Sequence, residues 1–68
     1  MGDIGAVAAL LTKAFGFAVD KTGYQQMSRE RKLETLMEGI NAAADTGDGP
    51  TCDALFSEYR RLRQTTGT

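Results

Sequence analysis

The stretch Ser28–Arg63, SRERKLETLMEGINAAADTGDGPTCDALFSEYRRLR, decides the fold. On a helix, Leu33, Leu36, Met37, Ile40, Ala43 and Ala44 fall on one side, and after an interruption Cys52, Leu55, Phe56, Tyr59 and Leu62 do the same. Two such stripes joined by a short loop bury their apolar sides against each other, so the stretch reads as an antiparallel helical hairpin. The interruption Asp45–Thr51 carries its stop and start signals in order. Gly47 can adopt the left-handed conformation that ends a helix, Asp48 or Thr51 can accept from the free amides of the next one, and Pro50 suits a first turn where no amide is needed. Ser28 is a good N-cap for the first hairpin helix, which should run to about residue 45. Gly39 sits inside that helix at the edge of its apolar face, and the reason expected is close approach of a neighbouring helix.

Upstream, Ile4–Val19 is the most apolar segment. Drawn as a helix it puts Ile4, Val7, Leu11, Ala14, Phe15 and Ala18 on one face and Leu10, Phe17 and Val19 at its margins, opposite a narrow strip of Gly5, Ala9, Thr12, Lys13 and Gly16. That arc exceeds half the circumference, more than a solvent-facing helix carries, so this helix is either the third member of the core or partly buried in something else. Gly5 and Gly16 each weaken it by about 1 kcal/mol in a helix interior, which favours a helix held by packing. Asp20–Met27 reads as a connector, with Gly23 as a helix-ending residue and Tyr24 and Met27 tucked against the hairpin. The expected fold is all-α: a three-helix bundle built on the antiparallel hairpin, with helices over residues 3–19, 28–45 and 50–64 in a single small domain and a frayed tail at 65–68.

At 68 residues the chain is one small domain, and a domain of this size buries only roughly 60% of the surface its unfolded chain exposes. Domains this small usually add a disulfide, a metal or a second copy. Cys52 is the only cysteine and there is no histidine, which closes an internal disulfide and a Cys/His zinc site. Self-association or docking on a larger protein is the favoured third route. A lone cysteine fits a reducing compartment, so the expected location is cytoplasmic, with a peripheral place at the inner face of a membrane as the alternative. As a helix, Ile4–Val19 would reach roughly 24 Å, short of the ~30 Å hydrocarbon core, and it includes Thr12 and Lys13. Asp3 stands where a signal peptide would be basic, so neither a spanning segment nor a leader is expected.

Catalytic signatures are weak throughout. Asp45, Asp48 and Asp53 lack the alternate-position spacing of a calcium loop, and Phe56 stands where the bidentate glutamate belongs. Gly47-Asp48-Gly49 lacks the spacing and the lysine of a phosphate loop. Cys52 starts a helix but has no histidine base and lies beside Asp53, so it reads as an inert, buried thiol. Glu30, Glu34 and Glu38 form a ridge at four-residue spacing without matching ligands on a facing helix, and read as a solvated or arginine-paired row. The expectation is a protein that is not an enzyme, with no cofactor, metal or small-molecule substrate.

Charge placement is the remaining signal. The net charge is −1, so no global field draws the chain to nucleic acid or membrane. Arg29, Arg31 and Lys32 open the first hairpin helix and Arg60, Arg61 and Arg63 close the second, so folding brings them to one end while Asp45, Asp48 and Asp53 gather at the turn. Cations in a first turn oppose the helix dipole, which hints at a binding surface; Glu30, Glu34 and Glu58 offset part of it. The candidate partner-binding residues are therefore Leu10, Phe15, Phe17, Arg29, Arg31, Lys32, Arg60, Arg61 and Arg63.

Three roles follow. The first is a protein-interaction module that oligomerises or docks on a larger partner through Ile4–Val19 and the basic hairpin end. The second is a peripheral protein on anionic lipid, an apolar helix beside a basic cluster being a two-signal anchor. Nucleic-acid binding ranks last, against a pI of about 5.2 and a turn unlike that of a helix-turn-helix. In its shortness, its helical character and its Ser-Arg-Glu-Arg-Lys (Ser28–Lys32) and Tyr-Arg-Arg-Leu-Arg (Tyr59–Arg63) stretches, the chain resembles the small accessory proteins encoded by bacteriophages. That resemblance implies a protein that modulates a host protein, assists lysis at the inner membrane or forms a minor virion component, and it assigns no functional residue.

Overall fold

The computed structural model describes residues 4–64, all of them in helices or the short joints between them. The order is α1 (Ile4–Phe15), α2 (Lys21–Gln25), α3 (Arg29–Asp45) and α4 (Gly49–Gln64). The protein is all-α. Helices α3 and α4 form the hairpin and share the most extensive contact, and α1 lies across both. The tail at 65–68, expected to fray, lies outside the described residues.

The turn between α3 and α4 is built as its residues dictate. Gly47 has φ +75°, and it donates to the Ala44 carbonyl at 3.1 Å while the Asp48 amide donates to the Ala43 carbonyl at 2.9 Å. This paired closure satisfies the last carbonyls of α3 and requires a left-handed residue at Gly47. Asp48 then caps α4. Its carboxylate accepts from the Thr51 amide at 3.3 Å and from the Thr51 hydroxyl at 2.8 Å, with Lys13 of α1 3.9 Å away. Thr51 is therefore the partner of the cap, not the cap. Its two bonds, with Lys13 adding a smaller pull, hold the Asp48 carboxyl below its ordinary pKa. Ser28 caps α3 by accepting from the Arg31 amide at 3.2 Å.

The core is a single layer of aliphatic side chains with one phenol: Val7, Leu11 and Ala14 of α1, Tyr24 of α2, Leu36 and Ala43 of α3, and Leu55 of α4. Leu11, Leu36 and Leu55 are sealed completely. The expected close approach is at Gly39. A Cβ there would stand 2.7 Å from Leu11 Cδ2 and 3.2 Å from Leu55 Cδ1. All three long helices meet at that one missing methyl.

Two expectations need correction. The first helix stops at Phe15, not at residue 19, because Gly16 turns left-handed (φ +79°) while donating to the Thr12 carbonyl at 2.9 Å. The Thr12 hydroxyl then accepts from the Val19 amide at 2.9 Å and donates to the Ala8 carbonyl at 2.9 Å, a clip that folds 16–19 back over the helix end. Phe17, Ala18 and Val19 are thus loop residues. The connector also contains a helix. Asp20 caps α2 by accepting from the Gly23 amide at 3.3 Å, so Gly23 lies inside a helical turn instead of ending one. What α2 achieves is the burial of Tyr24, which is 3% exposed.

Replacing Gly39 by Ala should lower the unfolding free energy by about 1–3 kcal/mol, the usual cost of overpacking. Gly49→Ala, with nothing within 4 Å of the new methyl, should fall within about 0.5 kcal/mol of wild type. Chemical denaturation of the two variants checks this, and equal midpoints would mean that the helices do not meet at Gly39.

Candidate docking surface

The Thr12 clip has a chemical consequence at the surface. By reversing the chain at Gly16 it projects Phe17 outward, 63% exposed, the most exposed of the large apolar side chains among the described residues. Phe17 stacks on Phe15 with ring centroids 5.2 Å apart and planes 8° from parallel. Phe15 is half-buried, its ring reaching the Gly39 site, so it is at once the edge of the core and the base of a surface feature.

That feature is an open cleft of about 530 Å³. Phe15, Val19 and Met27 supply its apolar lining, Phe17 and Ala18 one rim, and Arg31, Thr35 and Glu38 of α3 the other. Thr35 donates its hydroxyl to the Met27 sulfur at 3.6 Å, which holds that flexible side chain against α3. Arg31 and Glu38 are exposed and stand seven residues apart on one helix, roughly 10 Å along the axis. The cleft is therefore an apolar trough with a positive charge at one end of its rim and a negative charge at the other. Such a site orients a guest without demanding a charged one.

The cations expected at one end do converge there, but they do not form one patch. Lys32 Nζ lies 5.5 Å from the centroid of the Tyr24 ring, and Arg61, on the other hairpin helix, acts on the same phenol. Arg61 is held by Glu58 through a two-pronged contact, Nε to Oε1 at 3.1 Å and Nη2 to Oε2. Arg31 faces the cleft. Arg60 and Arg63 lie on a separate shallow depression of about 360 Å³ beside Phe56 and Tyr59, where Arg63 sits 5.9 Å from the Tyr59 ring centroid. Arg29 is exposed at the start of α3. Leu10 is half-buried and packs on the core, so of the apolar candidates Phe17 and the outer part of Phe15 are the ones presented to solvent.

Sequence reasoning missed five of the residues that shape the cleft: Ala18, Val19, Met27, Thr35 and Glu38. Only the Thr12/Gly16 pairing at the end of an apolar run could have signalled the reversal that gathers them. It also missed that Met37 and Phe56, read as hairpin-facing, are 37% and 47% exposed. No helix among the described residues is long and apolar enough to cross a membrane. No protein-family model matches the chain, nor does any curated protein or any solved structure.

Tyr24 is the buried hinge between the two charged helix ends, and its chemistry gives a direct check. Burial, reinforced by the Glu58 carboxylate and opposed by Arg61, pushes its pKa from 10.0 up to about 12. The folded chain then keeps a proton that the unfolded chain releases, so the stabilisation present below pH 10 is lost as pH rises toward 12. Tyrosinate absorbance should show a component titrating late, and Tyr24→Phe should remove that component. A late component that survives Tyr24→Phe would contradict the burial.

Proposed function

We propose that the chain is a small non-enzymatic protein-interaction module that docks on a larger protein through the Phe15/Phe17 cleft and the basic residues beside it. The observation that carries this reading is Phe17: a phenyl ring 63% exposed at the mouth of an apolar cleft, held there by a specific hydrogen-bonded reversal instead of being folded into the core. A ring stacked on a fixed aromatic base and still largely open to solvent is a low-entropy anchor for a partner. The guest that fits is one amphipathic helical segment. Its apolar side chains would enter beside Phe15, Val19 and Met27, with an acidic residue toward Arg31 and a basic one toward Glu38. Arg29, Arg31 and Lys32 supply a local positive field that would speed the approach of an acidic flank.

Phe17 lies outside every helix, so Phe17→Ser leaves the core untouched and separates docking from folding. Affinity capture from lysate with wild type, Phe17→Ser, Arg31→Glu and the remote control Lys21→Glu should give a retained protein in the first and last only. At matched helicity, identical captures by all four chains, or none by any, would rule the reading out.

A further inference from the structure

The hairpin has two flanks, and α1 covers only one of them. Leu11 and Phe15 approach α3 at Gly39, the cleft opens along Arg31, Thr35 and Glu38, and Tyr24 meets Lys32 of α3 and the Glu58 and Arg61 side of α4. At about 100° per residue the opposite flank of α3 carries Leu33, Met37, Ile40 and Ala44, and that of α4 carries Cys52, Phe56, Tyr59 and Arg63. The contents of the shallow depression agree: Phe56, Tyr59, Arg60 and Arg63 line it together. This uncovered flank holds the other two exposed large apolar side chains, Met37 and Phe56. Between them Ile40, Cys52 and Tyr59 are half-buried, packing inward on the core, so Met37 and Phe56 are the apolar side chains this flank presents outward.

The charges at its margins say what covers it. Along the outer edge of α3 run Glu30, Glu34, Asn41 and Asp45, with no cation; along the outer edge of α4, in its C-terminal half, stands Arg60, with Arg63 beside it on the flank. Gly39 stands opposite Leu55, and an antiparallel register from that point puts Glu34 level with Arg60 and Glu30 level with the Arg63–Gln64 step. Yet these charges lie on opposite margins of one chain, and neither Glu34 nor Arg60 has an ion-pair partner among the described residues. A second copy related by a two-fold axis parallel to the helices lays α3 of one chain over α4 of the other. Met37 then meets Phe56 of the second copy, Glu34 meets its Arg60, and Glu30 meets its Arg63, each pair occurring twice. A two-fold axis across the helices would instead stack α3 on α3 and bring acidic edges together. The face is also large enough. A stable interface needs about 1,000 Å² in total, or ~500 Å² per copy, and the molecule is 35 by 21 Å across its long axes with 4460 Å² of surface.

We propose that the Met37/Phe56 flank is a self-association surface on which the hairpins of two copies stack as an antiparallel four-helix arrangement, joined at its margins by Glu34–Arg60 and Glu30–Arg63 pairs between chains. This surface lies away from the Phe15/Phe17 cleft, so the dimer leaves the cleft of each copy open and does not depend on the docking role.

Sedimentation equilibrium of the full chain tests it through a charge exchange. Wild type should be a dimer at about 100 µM, and Glu34→Arg and Arg60→Glu should each weaken dimerisation by about tenfold or more, since each single variant sets like charges against each other. An equimolar mixture of the two variants should recover the wild-type affinity within about threefold, because in the mixed dimer every margin pair is again Glu with Arg. Met37→Ser and Phe56→Ser should be weaker dimers at unchanged helicity by circular dichroism, and Phe17→Ser should dimerise like wild type. A monomeric wild type, a mixture no tighter than its parts, serine variants as tight as wild type, or a monomeric Phe17→Ser would each overturn the proposal. The last would move the self-contact to the cleft.

Discussion

Everything in this fold turns on the approach of three helices at a position that has no side chain. Gly39 lets Leu11 of α1 and Leu55 of α4 reach the backbone of α3, and a methyl placed there would stand 2.7 Å from the first of them. Ala43, one turn further on and fully buried, continues the same shallow groove. Helices meet as closely as their interfacial side chains allow, so small residues on α3 set the spacing of the whole bundle. Glycine weakens the isolated helix, but the packing it permits seals three leucines completely, and burying such a side chain is worth about 1.5–3 kcal/mol each. The tertiary gain outweighs the local loss.

That arrangement uses up the apolar arc of α1. Val7, Ala8, Leu11 and Ala14 are all buried, so the excess hydrophobicity of the N-terminal third emerges at its end and not along its length. Gly16 and the Thr12 clip convert what would have been another helical turn into a reversal that offers Phe17 to solvent. With only α1 to cover a two-sided hairpin, the other flank is left with Met37 and Phe56 outside. The two exposed apolar surfaces thus have one physical origin, a core completed by three helices in a sequence with apolar side chains to spare.

The parts legible in the sequence were those governed by local chemistry. Ser28, Gly47 and Asp48 are terminators and caps whose roles follow from their own hydrogen-bonding groups and from the φ that glycine allows, and the hairpin stripes follow from helical period. Gly39 was legible because a glycine on the edge of an apolar stripe has few other reasons to be there. The boundaries at the N-terminal end were not. Gly16 looks the same in sequence whether it interrupts a helix or ends one, and the deciding bond, from the Val19 amide to the Thr12 hydroxyl, spans seven residues. Asp20 is a good cap, but a five-residue helix has no apolar period to announce it. Nor does a stripe on a helical wheel show which of its two sides a third helix will cover. That is why Met37, Phe56 and the cleft residues Val19 and Met27 could be placed only from the folded chain. The cations illustrate the same limit: their convergence at one end follows from chain reversal, while their division among the Tyr24 ring, the cleft and the far flank depends on side-chain direction.

The most direct measurement of the central claim is the coupling between Gly39 and Leu11 in a double-mutant cycle of unfolding free energies. If Leu11 occupies the space that a methyl on Gly39 would need, truncating it makes room. Gly39→Ala with Leu11→Ala should then be less destabilised than the sum of the single variants by about 1 kcal/mol or more. Strict additivity, within about 0.3 kcal/mol, would show that α1 does not pack against α3 at Gly39 and would contradict the account.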